Sequence, residues 1–543
     1  MENAVEFDDD FDVIVLGSGV AGLATALAAA EKGLSSLLIE KMDEIGGAST
    51  ESYGIVWMAG NHLAEAAGHS DDRDDAMAYM EFMAGGEGRA EHLQAFVHRG
   101  PEALQFFEDC GVKFSLIEGM PDHYYGMAPG AAADGRSLQP ALVSALELGE
   151  WRHKIRQPEW EPCCFTMEEQ VNWGGINRIE HWDQDLLRQR RKDDLRGKGV
   201  GLVCQLLKCM LDRDVPILMG QNVERLLLED DRVIGVQMAD GRKLRARKGV
   251  ALATGGYESN PDLIAAYDGF PEWRSTFPDS NVGDGLVLAS EQGAAVHVLR
   301  NNLAVQLCFD VPPENGGRKR IPQAASIVEL CSPHTILVNR EGERFSDEVF
   351  FQDVAAAMRH FDVNTHRYIN LPTYLIFDSQ YTENYSFLNR MTSEPIPEWV
   401  ARDDTLRGLA EKLNIEPVKF GKSVARFNQL VEQGQDKDFH RGERAWKTSK
   451  QSNAANTNPT LGSLSKAPFY GVQLHPTGGG SAGVLTDEYS RVIHQRRRPI
   501  PGLYAVGMTS AKLEFGTGYQ CGFHHASAMT FGYLAVGHML SLP

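Results

Sequence analysis

The sequence is poor in basic residues for its length, and this scarcity argues against several kinds of partner. Its 543 residues include 53 lysines and arginines against 74 aspartates and glutamates, which gives a formal net charge of −21. A surface that binds nucleic acid or an anionic membrane needs a basic face. The basic run at residues 188–192 has acidic residues on both sides and indicates a solvated helix face. We therefore expect no nucleic-acid partner.

The cysteines are also few, and their spacing is uninformative. The eight thiols form no C-x-x-C pair, no zinc-ligand pattern and no C-x-x-C-H haem motif, so we expect no metal or iron–sulfur centre. An electron acceptor, if one is needed, is not identified by the sequence. Scattered thiols in a long chain are typical of a reducing compartment, and we expect a cytoplasmic protein.

A signal for export or membrane insertion is missing as well. Residues 13–30 carry no charge and approach the length of a membrane span. However, the residues before them are acidic rather than basic, unlike a signal peptide, and glycines interrupt the run. We expect neither a signal peptide nor a transmembrane helix.

What the N-terminus does contain is a strand–turn–helix–strand pattern. Residues 11–16 are apolar and β-branched, residues 17–22 read G-S-G-V-A-G, and residues 23–31 are rich in alanine and leucine. A second strand at 35–39 ends on Glu40. This order predicts a dinucleotide-binding βαβ unit.

Each part of the pattern has a physical task. Gly17 permits the tight turn, Gly19 lets the backbone approach a pyrophosphate, and Gly22 lets helix and strand pack closely. The helix N-terminus offers free N–H groups and a partial positive charge to phosphate. Glu40 is placed to accept hydrogen bonds from a ribose hydroxyl.

The following residues favour FAD over NAD. Gly46-Gly47-Ala48-Ser49 resembles the GG-[AST]-[ST] element of FAD-binding flavoproteins, and residues 253–256 read A-T-G-G, similar to a turn that contacts the cofactor in that group. No histidine is present in the 46–50 element to tether a flavin, so we expect non-covalent FAD. The residues expected to bind it are Gly17, Gly19, Ala21, Gly22, Glu40, Lys41, Gly46, Gly47, Ala48, Ser49, Val223, Ala253, Thr254, Gly255, Asp284, Gly507, Gly522 and Ser527.

The chain as a whole predicts an α/β fold, in which a Rossmann-like FAD-binding domain carries an inserted α+β catalytic domain that caps the substrate. We assign residues 1–276 to the first part of the FAD-binding domain, 277–453 to the inserted domain and 454–543 to the C-terminal part. The C-terminal part ends in a helix, expected over residues 526–539. Its N-terminus would stabilise negative charge on a reduced flavin.

The C-terminal region carries a family resemblance. Residues 483–489, 501–511 and 528–533 resemble 3-ketosteroid Δ1-dehydrogenases, and residues 281–285 look like the N-T-G-D-G turn of the wider fumarate-reductase-like flavoproteins. The resemblance implies an FAD-dependent dehydrogenase that acts on CH–CH groups and introduces a C=C bond beside a ring ketone. A base removes the α-proton while the β-hydrogen leaves as hydride to flavin N5. The expected substrate is a small apolar cyclic ketone, either a 3-ketosteroid or a cyclohexanone type.

The resemblance also implies catalytic residues. The family places a glycine N–H and a tyrosine hydroxyl at the ketone oxygen. The glycine corresponds to Gly522, whereas the tyrosine position falls on Gly518, with Tyr519 one place later. A second family tyrosine precedes an A-P-G turn, and Tyr124 or Tyr125 matches it.

One position departs from the family. The slot that holds the tyrosine base, or an arginine in fumarate reductases, is occupied by Gln352. Glutamine cannot act as a general base and carries no charge. The base would then be Tyr124, Tyr125 or Tyr519, or else one of His524 and His525, which stand before the last helix. The alternative functions are a flavin ene-reductase acting on an activated alkene and a flavin-binding protein without activity.

Overall fold

The computed structural model of the chain describes residues 6–158, 163–175, 177–312, 329–444 and 458–542, together with the backbone of 321–324. The expected boundary between residues 453 and 454 lies outside these residues.

The strands in chain order are β1 Asp9–Leu16, β2 Ser36–Ile39, β3 Val56–Trp57, β4 Phe114–Leu116, β5 Ser137–Pro140, β6 Val143–Ser144, β7 Leu195–Arg196, β8 Ile217–Leu218, β9 Val223–Glu229, β10 Arg232–Met238, β11 Lys243–Leu252, β12 Val296–Val298, β13 Val305–Val311, β14 Ile321–Ala324, β15 Thr335–Asn339, β16 Phe361–Asp362, β17 Arg367–Tyr368, β18 Thr373–Asp378, β19 Ala401–Asp403, β20 Phe469–Gly478, β21 Ala482–Val484, β22 Arg491–Ile493 and β23 Pro499–Ala505. The helices are α1 Val20–Glu31, α2 His62–Ala66, α3 Arg73–Ala84, α4 Ala90–Asp109, α5 Met167–Asn172, α6 Gln184–Lys192, α7 Lys198–Leu211, α8 Pro261–Tyr267, α9 Asp284–Glu291, α10 Phe351–Met358, α11 Ser379–Asn384, α12 Leu406–Leu413, α13 Pro417–Glu432 and α14 Phe523–Ser541.

The first sheet is built around parallel strands. Its order is β22-β23-β11-β1-β2-β8, in which β1 runs parallel to both β2 and β11. Strands β9 and β10 extend β11 as an antiparallel meander. Parallel strands are buried on both faces, and the four residues at the end of β1 are buried.

Helix α1 lies at the centre of this layer. Its residues from Val20 to Ala29 are all buried, because α7 and α14 pack against it and the sheet lies beneath it. A helix that is apolar on all sides requires such complete cover. The charge-free run at the N-terminus is therefore the core of the first layer.

The second sheet is antiparallel and contains β14-β13-β20-β18-β15, with β19 also paired to β20. Strand β20 lies in the middle of this sheet, between β13 and β18. The expected domain division placed residues 469–478 in the FAD-binding part, whereas this pairing places them in the second sheet. The chain returns to the first sheet at β22 and β23.

A buried ion-pair network anchors the segment between β15 and α10. Arg344 donates to both carboxylate oxygens of Glu348 (2.7 and 2.8 Å) and to Asp436 (2.8 Å). Arg441 lies 3.4 Å from the same Glu348 carboxylate. Burial alone would raise the pKa of Glu348, but the Arg344 guanidinium lowers it. Residues 346–352 are thereby held in one place.

Within the described ranges, no helix is both long enough and apolar enough to cross a bilayer.

Removal of Arg344 should destabilise this anchor. In Arg344→Met, Glu348 and Asp436 keep their burial but lose a shared cation, which typically costs about 3 kcal/mol or more. Urea unfolding followed by circular dichroism should show this loss. Arg426→Met removes the partner of Asp438 at the surface and should leave the urea midpoint almost unchanged. Equal midpoints for the two variants would contradict the anchoring role.

Candidate active site

The turn between β1 and α1 forms an open cradle for phosphate. Among the residues described, the backbone N–H groups of Gly19, Ala21 and Gly22 have no hydrogen-bond acceptor. A methyl group on Gly19 would meet only Ser49 Oγ at 3.4 Å and the Gly46 carbonyl oxygen at 3.9 Å. Free N–H groups at a helix N-terminus, with room above them, fit a pyrophosphate.

Glu40 is fixed at the end of β2. One carboxylate oxygen accepts from the Ser18 N–H (2.9 Å) and the Ser18 hydroxyl (2.6 Å), and the other accepts from the Met42 N–H (2.9 Å). Its backbone carbonyl accepts from the Gln221 N–H, close to the expected Val223 at the start of β9. The carboxylate is thus held beside the cradle, where the sequence expects it to receive a ribose.

Two distant segments complete the cradle. The Ala253 N–H donates to the last residue of β1, and the Thr254 hydroxyl accepts from the Gly285 N–H at 2.9 Å. Lys41 forms an ion pair with Asp284 across 243 residues of sequence. The structure therefore brings together residues from four of the expected FAD-binding stretches, and their donor set fits FAD.

The C-terminal FAD-binding residues lie against α1. A side chain on Gly507 would reach the Ala21 methyl group at 2.7 Å. The hydroxyl of Ser527 is taken up by Glu514, a buried carboxyl whose pKa is raised to about 7 by burial. The Ser527 hydroxyl therefore has no proton left to donate to FAD, which is a narrower role than the sequence suggests.

The centre of the candidate active site is His123. Its Nε2 accepts from the Cys521 N–H (3.3 Å), and its Nδ1 lies 2.8 Å from one end of the Gln352 side-chain amide. The His123 N–H donates to Gln520 Oε1 (2.8 Å), which also accepts from the Tyr79 hydroxyl (2.7 Å). One histidine thereby joins the loop before α14 to the first turn of α10.

Buried ion pairs fix the loop that carries His123. Arg136 donates to Asp71 (2.6 Å) and to Asp122 (2.8 Å), and the Trp57 indole donates to Asp122 (2.7 Å). Arg136 and Asp122 are almost fully buried. Since a buried ion pair tolerates little displacement, the position of His123 follows from its neighbour Asp122.

Tyr519 lies beside this histidine. Its ring centroid is 5.6 Å from that of His123 and 5.2 Å from that of Phe351. Gly518, the family's tyrosine position, has no room for a side chain, because a Cβ there would lie 2.6 Å from the Met83 carbonyl oxygen. Tyr519 therefore remains the candidate in this loop for the hydroxyl that the resemblance places at the ketone oxygen.

The tyrosines differ in their suitability as a base. Burial raises the pKa of Tyr519 and that of Tyr124 well above the ordinary value, so both remain protonated at neutral pH. Tyr124 packs against Phe82 and Phe350. Tyr125 is 40% exposed and lies outside the cluster. These tyrosines can donate hydrogen bonds but are poor proton acceptors.

Gly522 presents a backbone N–H to the same site. Its φ of +93° is one that glycine adopts without strain. A Cβ at this position would lie 2.6 Å from the backbone nitrogen of Trp57. Gly522 caps α14, and within the described part of the chain its N–H has no acceptor. This donor is free for a ligand.

His524 follows in the first turn of α14. Its ring contacts those of Phe515 and Tyr519, and neither nitrogen has a hydrogen-bond partner in the described ranges. Burial, with Lys512 and His525 nearby, lowers the pKa of His524 well below its ordinary value. The ring of His525 instead has hydrogen-bond partners at both nitrogens, the Ile55 carbonyl oxygen at Nδ1 and the Ser52 hydroxyl at Nε2. His524 is thus a neutral imidazole with an available lone pair.

Sequence reasoning missed His123. It stands directly before the tyrosines of the expected turn, and its role depends on contacts with residues 229 and 398 positions away. In the sequence, the only indication of a functional role for His123 is its position in that turn.

The chain is similar in sequence to a known protein family and to several characterised enzymes. The FAD binding domain family matches residues 12–524. A 4-oxocyclohexanecarboxylate 2-dehydrogenase from Sinomonas cyclohexanicum is 34% identical over 97% of this chain and 92% of its own length. A 3-oxosteroid 1-dehydrogenase from Mycolicibacterium smegmatis is 31% identical over 97% of this chain and 96% of its own length.

A solved structure is similar throughout. The 3-ketosteroid Δ1-dehydrogenase from Sterolibacterium denitrificans, in complex with 1,4-androstadiene-3,17-dione, superposes with a TM-score of 0.88 at 28% identity. The match covers 98% of this chain and 99% of that one.

Gly22 offers a direct test of the cradle. In Gly22→Ala the new methyl carbon would lie 1.8 Å from the Gly17 carbonyl oxygen, so the turn must open and FAD should be lost. The ratio of flavin to protein absorbance after purification measures this loss. Gly421→Ala, which meets nothing within 4 Å, should retain full FAD. Normal flavin content in Gly22→Ala would show that the cradle is elsewhere.

Proposed function

Since this chain belongs to the FAD binding domain family, we propose that it is an FAD-dependent dehydrogenase that introduces a C=C bond α,β to a ring ketone. The family match and the similar structures confirm the α/β fold class, the FAD cofactor and the resemblance to ketosteroid dehydrogenases. The relatives are named as dehydrogenases of ring ketones, which favours desaturation over the ene-reductase alternative.

The observation that carries the proposal is the pair of free donors at the start of α14. The Tyr519 hydroxyl and the Gly522 N–H stand three residues apart, and neither has a partner among the described residues. Donors of this kind polarise a ketone oxygen and stabilise the enolate that forms when an α-proton leaves. The raised pKa of Tyr519 suits this role, because a donor must keep its proton.

The cradle residues of β1, α1 and β2 would hold FAD, which when bound supplies an acceptor for the β-hydrogen as hydride. The first turn of α14 orients free N–H groups and the positive end of its dipole toward the site. Phe351 and Tyr519 form an apolar wall that excludes water from a bound ring. Exclusion of water strengthens the hydrogen bonds to the ketone.

His524 is the proposed proton acceptor. Gln352 has no basic lone pair at neutral pH, and the raised pKa values of Tyr519 and Tyr124 keep these two hydroxyls protonated. His524 is neutral, unpaired and next to Tyr519, so it can take the α-proton on an imidazole nitrogen. The proton passes to the histidine, and the electron pair of the broken C–H bond moves toward the ketone.

The proposal is tested by anaerobic mixing of the purified flavoprotein with cyclic ketones. Wild-type protein should lose its flavin absorbance near 450 nm (about the usual flavin maximum) as hydride is transferred. Tyr519→Phe should keep its FAD but show a rate about 10²–10³ lower, since one oxyanion donor is removed. Tyr489→Phe, at an exposed position, should react as wild type. No bleaching by any cyclic ketone would refute the function.

The pH profile tests His524. Because its pKa is lowered, the neutral form persists as pH falls through about 6.5, the ordinary histidine value. The kcat/KM of wild type should stay level to that pH and fall only below it. His524→Gln should be about 10²-fold slower or more at every pH, whereas the exposed His98→Gln should not change. A wild-type inflection well above 6.5 would exclude His524 as the base.

A further inference from the structure

Three buried polar atoms around His123 have no partner. One end of the Gln352 amide, the Tyr124 hydroxyl and Gln520 Nε2 are each buried without a hydrogen bond in the part of the chain that the structure describes. Gln352 itself is 2% exposed. Buried polar atoms are normally paired, so several together point to a ligand.

The ring of His123 decides which end of Gln352 is unpaired. Because Nε2 accepts from the Cys521 N–H, it carries no proton, and the ring proton must be on Nδ1. The Nδ1–H then needs an acceptor, which is the amide oxygen of Gln352 at 2.8 Å. The nitrogen and oxygen of an amide are assigned from their partners, so the unpaired end is the NH₂ group.

The alternative orientation is less favourable. With the amide nitrogen toward His123, two donors would converge on a neutral ring that has one acceptor. That orientation would gain a 3.4 Å contact to the Tyr519 carbonyl oxygen, but it would leave one of the two donors facing the ring without an acceptor. The shorter contact determines the orientation.

The unpaired atoms therefore share one chemistry. The Gln352 NH₂ group, the Tyr124 hydroxyl and the Gln520 NH₂ group are neutral hydrogen-bond donors. The orientation of the Gln520 amide is fixed in the same way, because its oxygen already accepts from the Tyr79 hydroxyl and the His123 backbone N–H. Its NH₂ group is therefore the unpaired end. Charged groups nearby, such as Arg136 with Asp122, are already paired. Neutral donors without acceptors suit an oxygen-rich group of the ligand.

We propose that Gln352, oriented by His123, forms a second subsite with Tyr124 and Gln520 that binds a carboxylate of the substrate remote from its ketone. This inference rests on the proposed function and narrows the substrate to a cyclic keto acid. His123 is the positioning residue. Its imidazole stands between the Cys521 N–H and the Gln352 amide, so it links the ketone donors to the second subsite.

The specificity follows from the unpaired donors. A steroid or an alkyl cyclohexanone would cover them with hydrocarbon and leave them unsatisfied, whereas a carboxylate would accept from them. Sites built to hydrogen-bond a substrate group discriminate strongly against analogues without it. The sequence expectation of an apolar ketone is thereby revised, and the oxo-carboxylate named for one relative is consistent with this revision.

The experiment compares 4-oxocyclohexanecarboxylate, 4-methylcyclohexanone and a 3-ketosteroid as substrates of the holoenzyme. The carboxylate should have a kcat/KM about 100-fold or more above that of 4-methylcyclohexanone. Values within threefold of each other, or a preference for the steroid, would overturn the subsite and leave the proposed function intact. Failure of all three to reduce the flavin would overturn both.

Variants separate recognition from folding. In Gln352→Leu the ratio of kcat/KM for the acid to that for 4-methylcyclohexanone should fall at least tenfold, about the loss of one good hydrogen bond to a charged group. Gln352→Glu keeps the shape and the acceptor for His123 but repels a carboxylate, so KM for the acid should rise while the methyl ketone is still converted. The exposed Gln94→Glu should leave the ratio unchanged.

His123 is tested by the same ratio. His123→Phe keeps a ring but removes both nitrogens, so it should lower the ratio, and the double variant with Gln352→Leu should lower it no further. A substrate ratio is insensitive to a uniform loss of folded protein. An unchanged ratio in Gln352→Leu and His123→Phe that still bind FAD would contradict the proposal.

Discussion

The hydrogen bonds of His123 constrain the whole candidate active site. The ring bridges the Cys521 N–H and the Gln352 amide, which come from the loop before the last helix and from the first turn of α10. Because each nitrogen faces a different segment, displacement of either segment breaks a buried hydrogen bond. Unmade buried bonds are costly, so the ketone donors and the polar subsite keep a fixed separation.

Charge is distributed around this site in a consistent way. Two buried ion pairs hold segments of this site, Arg136 with Asp122 and Arg344 with Glu348. The groups that face a ligand are neutral donors and a neutral histidine. A buried charge that has no partner in the absence of ligand destabilises the folded protein strongly. A buried neutral donor without a partner costs less free energy. Fixed charges thus hold the segments that carry the neutral groups proposed to bind and react with the substrate.

Local sequence patterns predicted a large part of the molecule. The glycines from Gly17 to Gly22, the acid Glu40 and the final helix follow from periodicity and spacing within short segments. The structure has the glycines at the predicted turn and Glu40 at the predicted strand end, whereas the helix, expected over residues 526–539, spans Phe523–Ser541. The central place of β20 in the second sheet was not predicted, because strand order depends on long-range pairing that no local pattern encodes. His123 escaped prediction for the same reason, since its partners are hundreds of residues away.

The sequence alone determined that this chain binds FAD and that it resembles ring-ketone dehydrogenases, and it predicted Gln352 at the position where that resemblance places the base. These properties depend on residue type at fixed spacing along the chain. Only the tertiary structure decided that Tyr519 packs against His123 and Phe351, that Tyr125 is exposed and that Gln352 is held by His123. Packing of distant segments sets which atoms meet and which stay unpaired, and that arrangement decides how the departure at Gln352 is to be interpreted.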